Sequence, residues 1–138
     1  QPRDRPNVIL VVADALRADR VPGGGYSRDL MPGLRALMAS HPTLQSTGMR
    51  AVCAESSCGL LAIASSRYLH SAPFRPITLA EVLRRHGYTT RMILSGDHTN
   101  FFGLRETYGP IDHYLDGSMQ TARYVNDDRL VLDFARAL

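Results

Sequence analysis

The sequence predicts an α/β fold, a mostly parallel sheet flanked by helices on both faces, and three observations predict it. Val8 to Ala13 is an unbroken run of six apolar residues, four of them β-branched, that stops at Asp14. A run of that length with no polar alternation reads as a central strand buried on both faces. Read along the chain, the elements follow the order β-α-β-α-α-β-β-α, with crossovers long enough for parallel pairing. Polar residues also follow the carboxyl ends of two expected strands, where open α/β sheets gather their ligands.

Residues 1 to 6 carry two prolines and three charges and suit a lead-in outside the sheet. Asp14 then closes the first strand. It either caps the helical turn expected over Ala15 to Arg20 or serves a site at the sheet's carboxyl edge. Pro22-Gly23-Gly24-Gly25 forces a loop, and with no Gly-Lys-Ser/Thr after it this is a connector, not a phosphate loop. Leu30, Leu34, Leu37 and Met38 recur at helical spacing, predicting a helix from about Met31 to Ser40, with Pro32 in its first turn. His41-Pro42 ends it, and Thr43 to Val52 could supply a strand.

From Cys53 the chain is first small and polar, then small and apolar through Ser66. That pattern is a loop entering a closely packed helix. Thr78-Leu79-Ala80-Glu81 has the spacing of a capping box, opening a helix that Gly87 ends. Thr89 to Ser95 reads as a strand that flanks Val8 to Ala13 in the sheet, followed by the loop Gly96-Asp97-His98-Thr99-Asn100. Ile111 to Leu115 is a short strand, and Asn126-Asp127-Asp128 begins a last helix, where acids favour the positive end of the dipole.

The 138 residues are one domain's worth of chain. No apolar run approaches the roughly 18 residues a bilayer requires. The chain opens at Gln1 without an initiating Met, so it is expected to be cut from something longer. All 16 basic residues are Arg. They are scattered and form no basic stripe interleaved with aromatics, which argues against nucleic acid as a partner. Two cysteines, Cys53 and Cys58, are too few for a disulfide framework; they could pair in an oxidising compartment, though helical placement would make that awkward.

Three blocks in order resemble the amino-terminal part of sulfatase-like members of the alkaline phosphatase superfamily. They are Asn7 to Arg20, Gly25 to Leu34, and Thr78 to Thr90 with its Leu79-Ala80-Glu81 and Gly87-Tyr88-Thr89. The resemblance implies an alkaline-phosphatase-like fold, here truncated, with residues 1–138 as the amino-terminal portion of the catalytic domain. It further implies hydrolysis or transfer of sulfate or phosphate esters through a covalent nucleophile, with a divalent ion (Ca, Mg, Mn or Zn) held by Asp14 and the nucleophile.

Cys53 falls in the slot where sulfatases carry Cys-x-Pro-Ser-Arg and oxidise the Cys to formylglycine. Ser56 stands at the matching distance, but Glu55 replaces the Pro and Ser57 the Arg. That breaks the conversion signal and argues against formylglycine at Cys53. Related phosphoethanolamine and phosphoglycerol transferases place a Thr in that slot and need no oxidation; the nucleophile is Cys53, or Ser56 or Ser57 if the register is shifted. A helix amino terminus would activate any of them, whereas the plain alternative for Cys53 is a small core residue. A degenerate, non-catalytic binding domain is the competing reading of the lost Pro and Arg. The Asp97-His98 pair comes too early for the family's Asp-His ligand pair and reads as a loop, so further metal ligands are not expected in this chain and the isolated piece should be inactive. The resemblance also places the parent at the cell envelope or periplasm, with possible membrane anchoring. An unprotected sheet edge would invite self-association of the isolated piece.

Overall fold

The computed structural model describes residues 5–46, 48–101, 103–119 and 128–137. The chain divides into two compact units, Val8–Ala51 and Gln1–Asn7 with Val52–Leu138.

In the Val8–Ala51 unit the first expectation is overturned. Val8 to Ala13 is neither a strand nor buried: Ile9 is 85% and Val11 84% exposed. A strand that is apolar on both faces needs hydrogen-bonded neighbours along its edges and cover above and below. Among the described residues of this unit there is no strand to pair with, so the apolar composition alone does not make one. The strand expected over Thr43 to Val52 is likewise absent among its described residues. The turn expected over Ala15 to Arg20 is a 3₁₀ turn at Ala18–Arg20. Helix α1 spans Pro32–Ser40, one residue inside its expected start, with Pro32 in the first turn where its missing N–H costs nothing. The glycine loop folds back on the 3₁₀ turn. A side chain on Gly24 would place its Cβ 2.2 Å from the Ala18 carbonyl oxygen, so only glycine fits there. Arg20 stacks its guanidinium 3.5 Å above the Tyr26 ring.

The second unit holds the core. Helix α2 spans Ser56–Ser65 and α3 spans Leu79–Arg85. Thr78 caps α3 as its spacing predicts, its Oγ1 accepting from the Glu81 N–H at 3.3 Å. At 2% exposure it is also the most buried side chain described. Its hydroxyl leaves no room opposite: Gly109 sits at φ 70°, and a Cβ there would lie 2.8 Å from Thr78 Oγ1. Gly87, at φ 81°, ends α3.

Strand β1, Arg91–Ile93, lies inside the predicted Thr89–Ser95, and β2, His113–Leu115, inside the predicted Ile111–Leu115. They pair in parallel, with Met92 opposite Tyr114, across a crossover containing helix α4, Leu104–Thr107. The neighbour of β1 is therefore β2, not Val8 to Ala13. The parallel pairing is as expected; among the described residues the sheet has two strands, within a small mixed helix–strand fold. Asp112 pins the pair at its start: Oδ2 accepts from the Thr90 N–H at 2.8 Å and hydroxyl at 2.9 Å, and Oδ1 meets Arg84 Nε at 2.8 Å. These bonds, the Thr90 backbone first, hold its pKa below the ordinary carboxylate value. Leu104 and Tyr108, each 3% exposed, form the apolar centre with Cys58 as α2 packs on α3 and α4. Helix α5, Asp128–Arg136, packs on β1; Asn126 and Asp127, expected at its start, lie outside the described residues. No helix among the described residues is long and apolar enough to cross a membrane.

Candidate active site

The head of α2 brings three of the candidate residues into one turn of chain. Glu55 is extended, at φ −116° and ψ 143°, and Ser56 is the first helical residue. The first helical hydrogen bond runs from the Gly59 N–H to the Glu55 carbonyl at 3.0 Å. The first-turn N–H groups before it point out of the helix, where an anion can meet them. Ser56 is exposed and Ser57 half-buried, as the helix turns its next residues into the core.

Cys53 and Cys58 are joined by a disulfide. The pairing that helical placement seemed to hinder is reached because Cys53 lies ahead of the helix. It sits 6.4 Å, Cα to Cα, from Cys58 in the first turn, inside the range a disulfide spans. The bridge closes a small ring around Ala54, Glu55, Ser56 and Ser57. It also occupies the sulfur that a thiolate nucleophile or metal ligand would need. Ser56 and Ser57 are the hydroxyl side chains within that ring, beside the exposed Glu55.

Asp14 belongs to the other unit. It is exposed, and its Oδ1 accepts from the N–H of the next residue, Ala15, at 3.0 Å. Ala15 takes a left-handed conformation at φ 57°, which turns the chain sharply after the carboxylate. Among the described residues no three His, Cys, Asp or Glu side chains cluster so as to hold a metal ion. The divalent ion implied by the resemblance is therefore not matched by a donor set here.

The carboxyl edge of the β1–β2 pair carries a polar network that the sequence reading missed. Asp116 follows β2 and is 6% exposed. Its Oδ2 accepts from the Thr99 N–H and hydroxyl, both at 2.8 Å, and from the Tyr114 hydroxyl at 2.9 Å. Its Oδ1 accepts from the Ser118 N–H at 3.0 Å and hydroxyl at 2.5 Å. Burial alone would raise this carboxyl, but the donors of Ser118, Thr99 and Tyr114 outweigh it and hold the pKa at about 2. Burial, reinforced by the nearby Asp116 charge, pushes the Tyr108 hydroxyl up to about 12, and that oxygen lies 2.5 Å from His98 Nδ1. Asp97-His98 is a loop after β1, as expected, with Asp97 accepting from the Asn100 N–H and side-chain amide. The signal for Asp116 was present: a carboxylate directly after an expected strand, as expected also at Asp14.

Comparison with known family models matches the chain to the sulfatase family over residues 6–136. No curated protein and no solved structure matches the chain. The family match covers nearly its whole length and takes in both the Asp14 turn and the head of α2. The chain belongs to the sulfatase family.

Proposed function

We propose that this protein is a sulfatase-like hydrolase or transferase that acts on sulfate or phosphate esters through a covalent intermediate on Ser56. The observation that carries the choice of nucleophile is the Cys53–Cys58 bridge, which engages the sulfur in the slot where sulfatases place an oxidised Cys and leaves a hydroxyl at the first position of α2. In the first step the Ser56 oxygen bonds to the ester's phosphorus or sulfur. The bond to the leaving oxygen breaks, and the proton lost by Ser56 ends on the released alcohol. Water, or a second alcohol in a transferase, then takes the phosphoryl or sulfuryl group and restores the hydroxyl. The first-turn N–H groups of α2 would bind the oxygens of the group in transit, where negative charge accumulates. The family's divalent ion would neutralise part of that charge. Asp14 would be one of its ligands.

The hydroxyl nucleophile favours the phosphoethanolamine- or phosphoglycerol-transferase branch over a formylglycine enzyme. The disulfide supports an oxidising compartment, hence a place in the periplasm or on the outer face of the membrane. Glu55 and Ser57, standing where sulfatases have Pro and Arg, favour a second reading: a non-catalytic binding domain that keeps the family's frame.

Acid-quenched turnover of the full-length protein with aryl phosphate and aryl sulfate separates the two. Trypsin releases Ala51 to Arg67 as one peptide, bounded by Arg50 and Arg67. A phosphoryl or sulfuryl group on Ser56, lost in Ser56→Ala and kept in Ser57→Ala, is the expected result. Label on Ser57 or on reduced Cys53 would reassign the nucleophile. A peptide that never gains mass while the protein still binds the ester would establish the binding domain.

A further inference from the structure

The far end of α2 carries a second feature, independent of the nucleophile. A cleft of about 490 Å³ opens there, lined by Ser65, Arg67, Pro73, Arg75, Pro76 and Ile77. No carboxylate lines it. Among the described residues neither Arg67 nor Arg75 forms an ion pair or a hydrogen bond with another side chain or a carbonyl. Guanidinium groups do not give up their protons in proteins, so the cleft carries two exposed, permanently charged groups with no carboxylate among its lining residues.

The ordinary explanation for arginines after a helix is that they satisfy its last carbonyls. Neither does so here: the Ser66 N–H bonds to the Ala62 carbonyl at 2.8 Å, and the Ser65 hydroxyl donates back to the Leu61 carbonyl at 2.7 Å. Arg75 lies over the Phe74 ring at 5.9 Å, near the limit for a cation–π contact. The cleft is of the size that holds a small ligand. Two planar guanidinium forks match the oxygens of a tetrahedral oxyanion.

We propose that this cleft binds phosphate or sulfate, at a site separated from Ser56 by the ten-residue length of α2, roughly 13 Å at 1.5 Å per residue. The bound group carries one to two negative charges at neutral pH and is received by Arg67 and Arg75.

The test is titration of the protein with inorganic phosphate, sodium sulfate and sodium chloride, read by calorimetry and by the Nε–H signals of Arg67 and Arg75. Saturable binding of phosphate and sulfate, with both arginine signals moving and chloride far weaker, is expected. Arg67→Gln and Arg75→Gln should each weaken binding about tenfold, the effect of losing one charged hydrogen-bonding partner. Arg50→Gln, in the other unit, should leave it unchanged. Should a Gln variant lose its far-UV circular dichroism, Arg67→Lys with Arg75→Lys decides, since it keeps the charge, loses the fork and should weaken binding severalfold. Phenyl phosphate binding more tightly than phosphate would identify an ester-borne group, and equal binding the free anion; either supports the cleft. Shifts confined to the Ser56 and Ser57 N–H groups, or affinity unchanged in both the Gln and the Lys variants, would overturn it.

Discussion

Replacing Asp116 by Asn keeps the side chain's shape and removes its charge, and so tests what holds the carboxyl edge of the sheet. If the Asn oxygen faces Thr99 and Tyr114, its NH₂ faces the Ser118 N–H and hydroxyl, and the two bonds to Oδ1 are lost. Each bond to a charged acceptor contributes about 1.5 kcal/mol or more, so the loss is about 3 kcal/mol, with the Ser118 N–H left facing another donor. A domain of this size is stabilised by only about 5–15 kcal/mol in all. The carboxyl's pKa also falls from 3.8 to about 2 on folding, which corresponds to about 2 kcal/mol. Because the folded value is the lower one, that stability is fully present above about pH 4 and disappears as pH falls towards 2. Urea unfolding followed by far-UV circular dichroism, at neutral pH and stepwise to acid, measures both quantities. Asp112 and Asp19 also have lowered pKa values, so the comparison is wild type minus variant. That gap should be about 3 kcal/mol at neutral pH and should narrow by about 2 kcal/mol at the acid end. A gap below about 1 kcal/mol at neutral pH, or one that does not change with pH, would refute the reasoning.

Gly109→Ala forces a Cβ against Thr78 Oγ1 at a positive φ and should cost about 1–3 kcal/mol, read as a lowered thermal midpoint. Reducing the Cys53–Cys58 bridge releases a short ring and should cost about 2 kcal/mol, measured by urea unfolding with and without reductant. Ile9 and Val11, exposed in an apolar run, should drive self-association; Ile9→Lys with Val11→Lys should shift the sedimentation profile towards monomer. Calorimetric titration with Ca²⁺, Mg²⁺, Mn²⁺ and Zn²⁺ should give affinities no tighter than about millimolar, because Asp14 brings too few donors to hold an ion alone. Micromolar binding abolished by Asp14→Ala would show a fuller ligand set.

What the sequence revealed about the fold was local. Thr78 declares itself because a hydroxyl three residues ahead of Glu81 can reach the Glu81 N–H, and the geometry that satisfies it lies within one turn. Pro32 and Gly87 mark helix ends for equally local reasons, a missing donor and a permitted left-handed φ. Helix α4 was missed because its four residues are too short for any periodicity to show. The Cys53–Cys58 bridge turns on where the helix begins. One turn earlier Cys53 would be helical and the pairing strained, and a boundary of that fineness is not readable from composition.

Asp14 and Asp116 show why the site was only half legible. Both are carboxylates that close an apolar stretch, and the stronger stretch belongs to Asp14. Yet Val8 to Ala13 finds no partner among the described strands, and Asp14 is exposed with its Oδ1 on the adjacent N–H. The weaker stretch, Ile111 to Leu115, becomes a strand because Arg91–Ile93 lies alongside, and pairing aligns Gly96 with Gly117 through a 2.9 Å backbone bond. That alignment brings Thr99 and Ser118 onto Asp116 from two different loops. Apolar content measures how much a segment gains from burial. Whether it is buried depends on residues some twenty positions away, as Asp112 reaching Thr90 illustrates. A carboxylate that closes an apolar stretch therefore becomes a buried structural anchor or stays exposed according to its partners. At α2 those partners are local, so Ser56 at the helix head could be read from the sequence while the network around Asp116 could not.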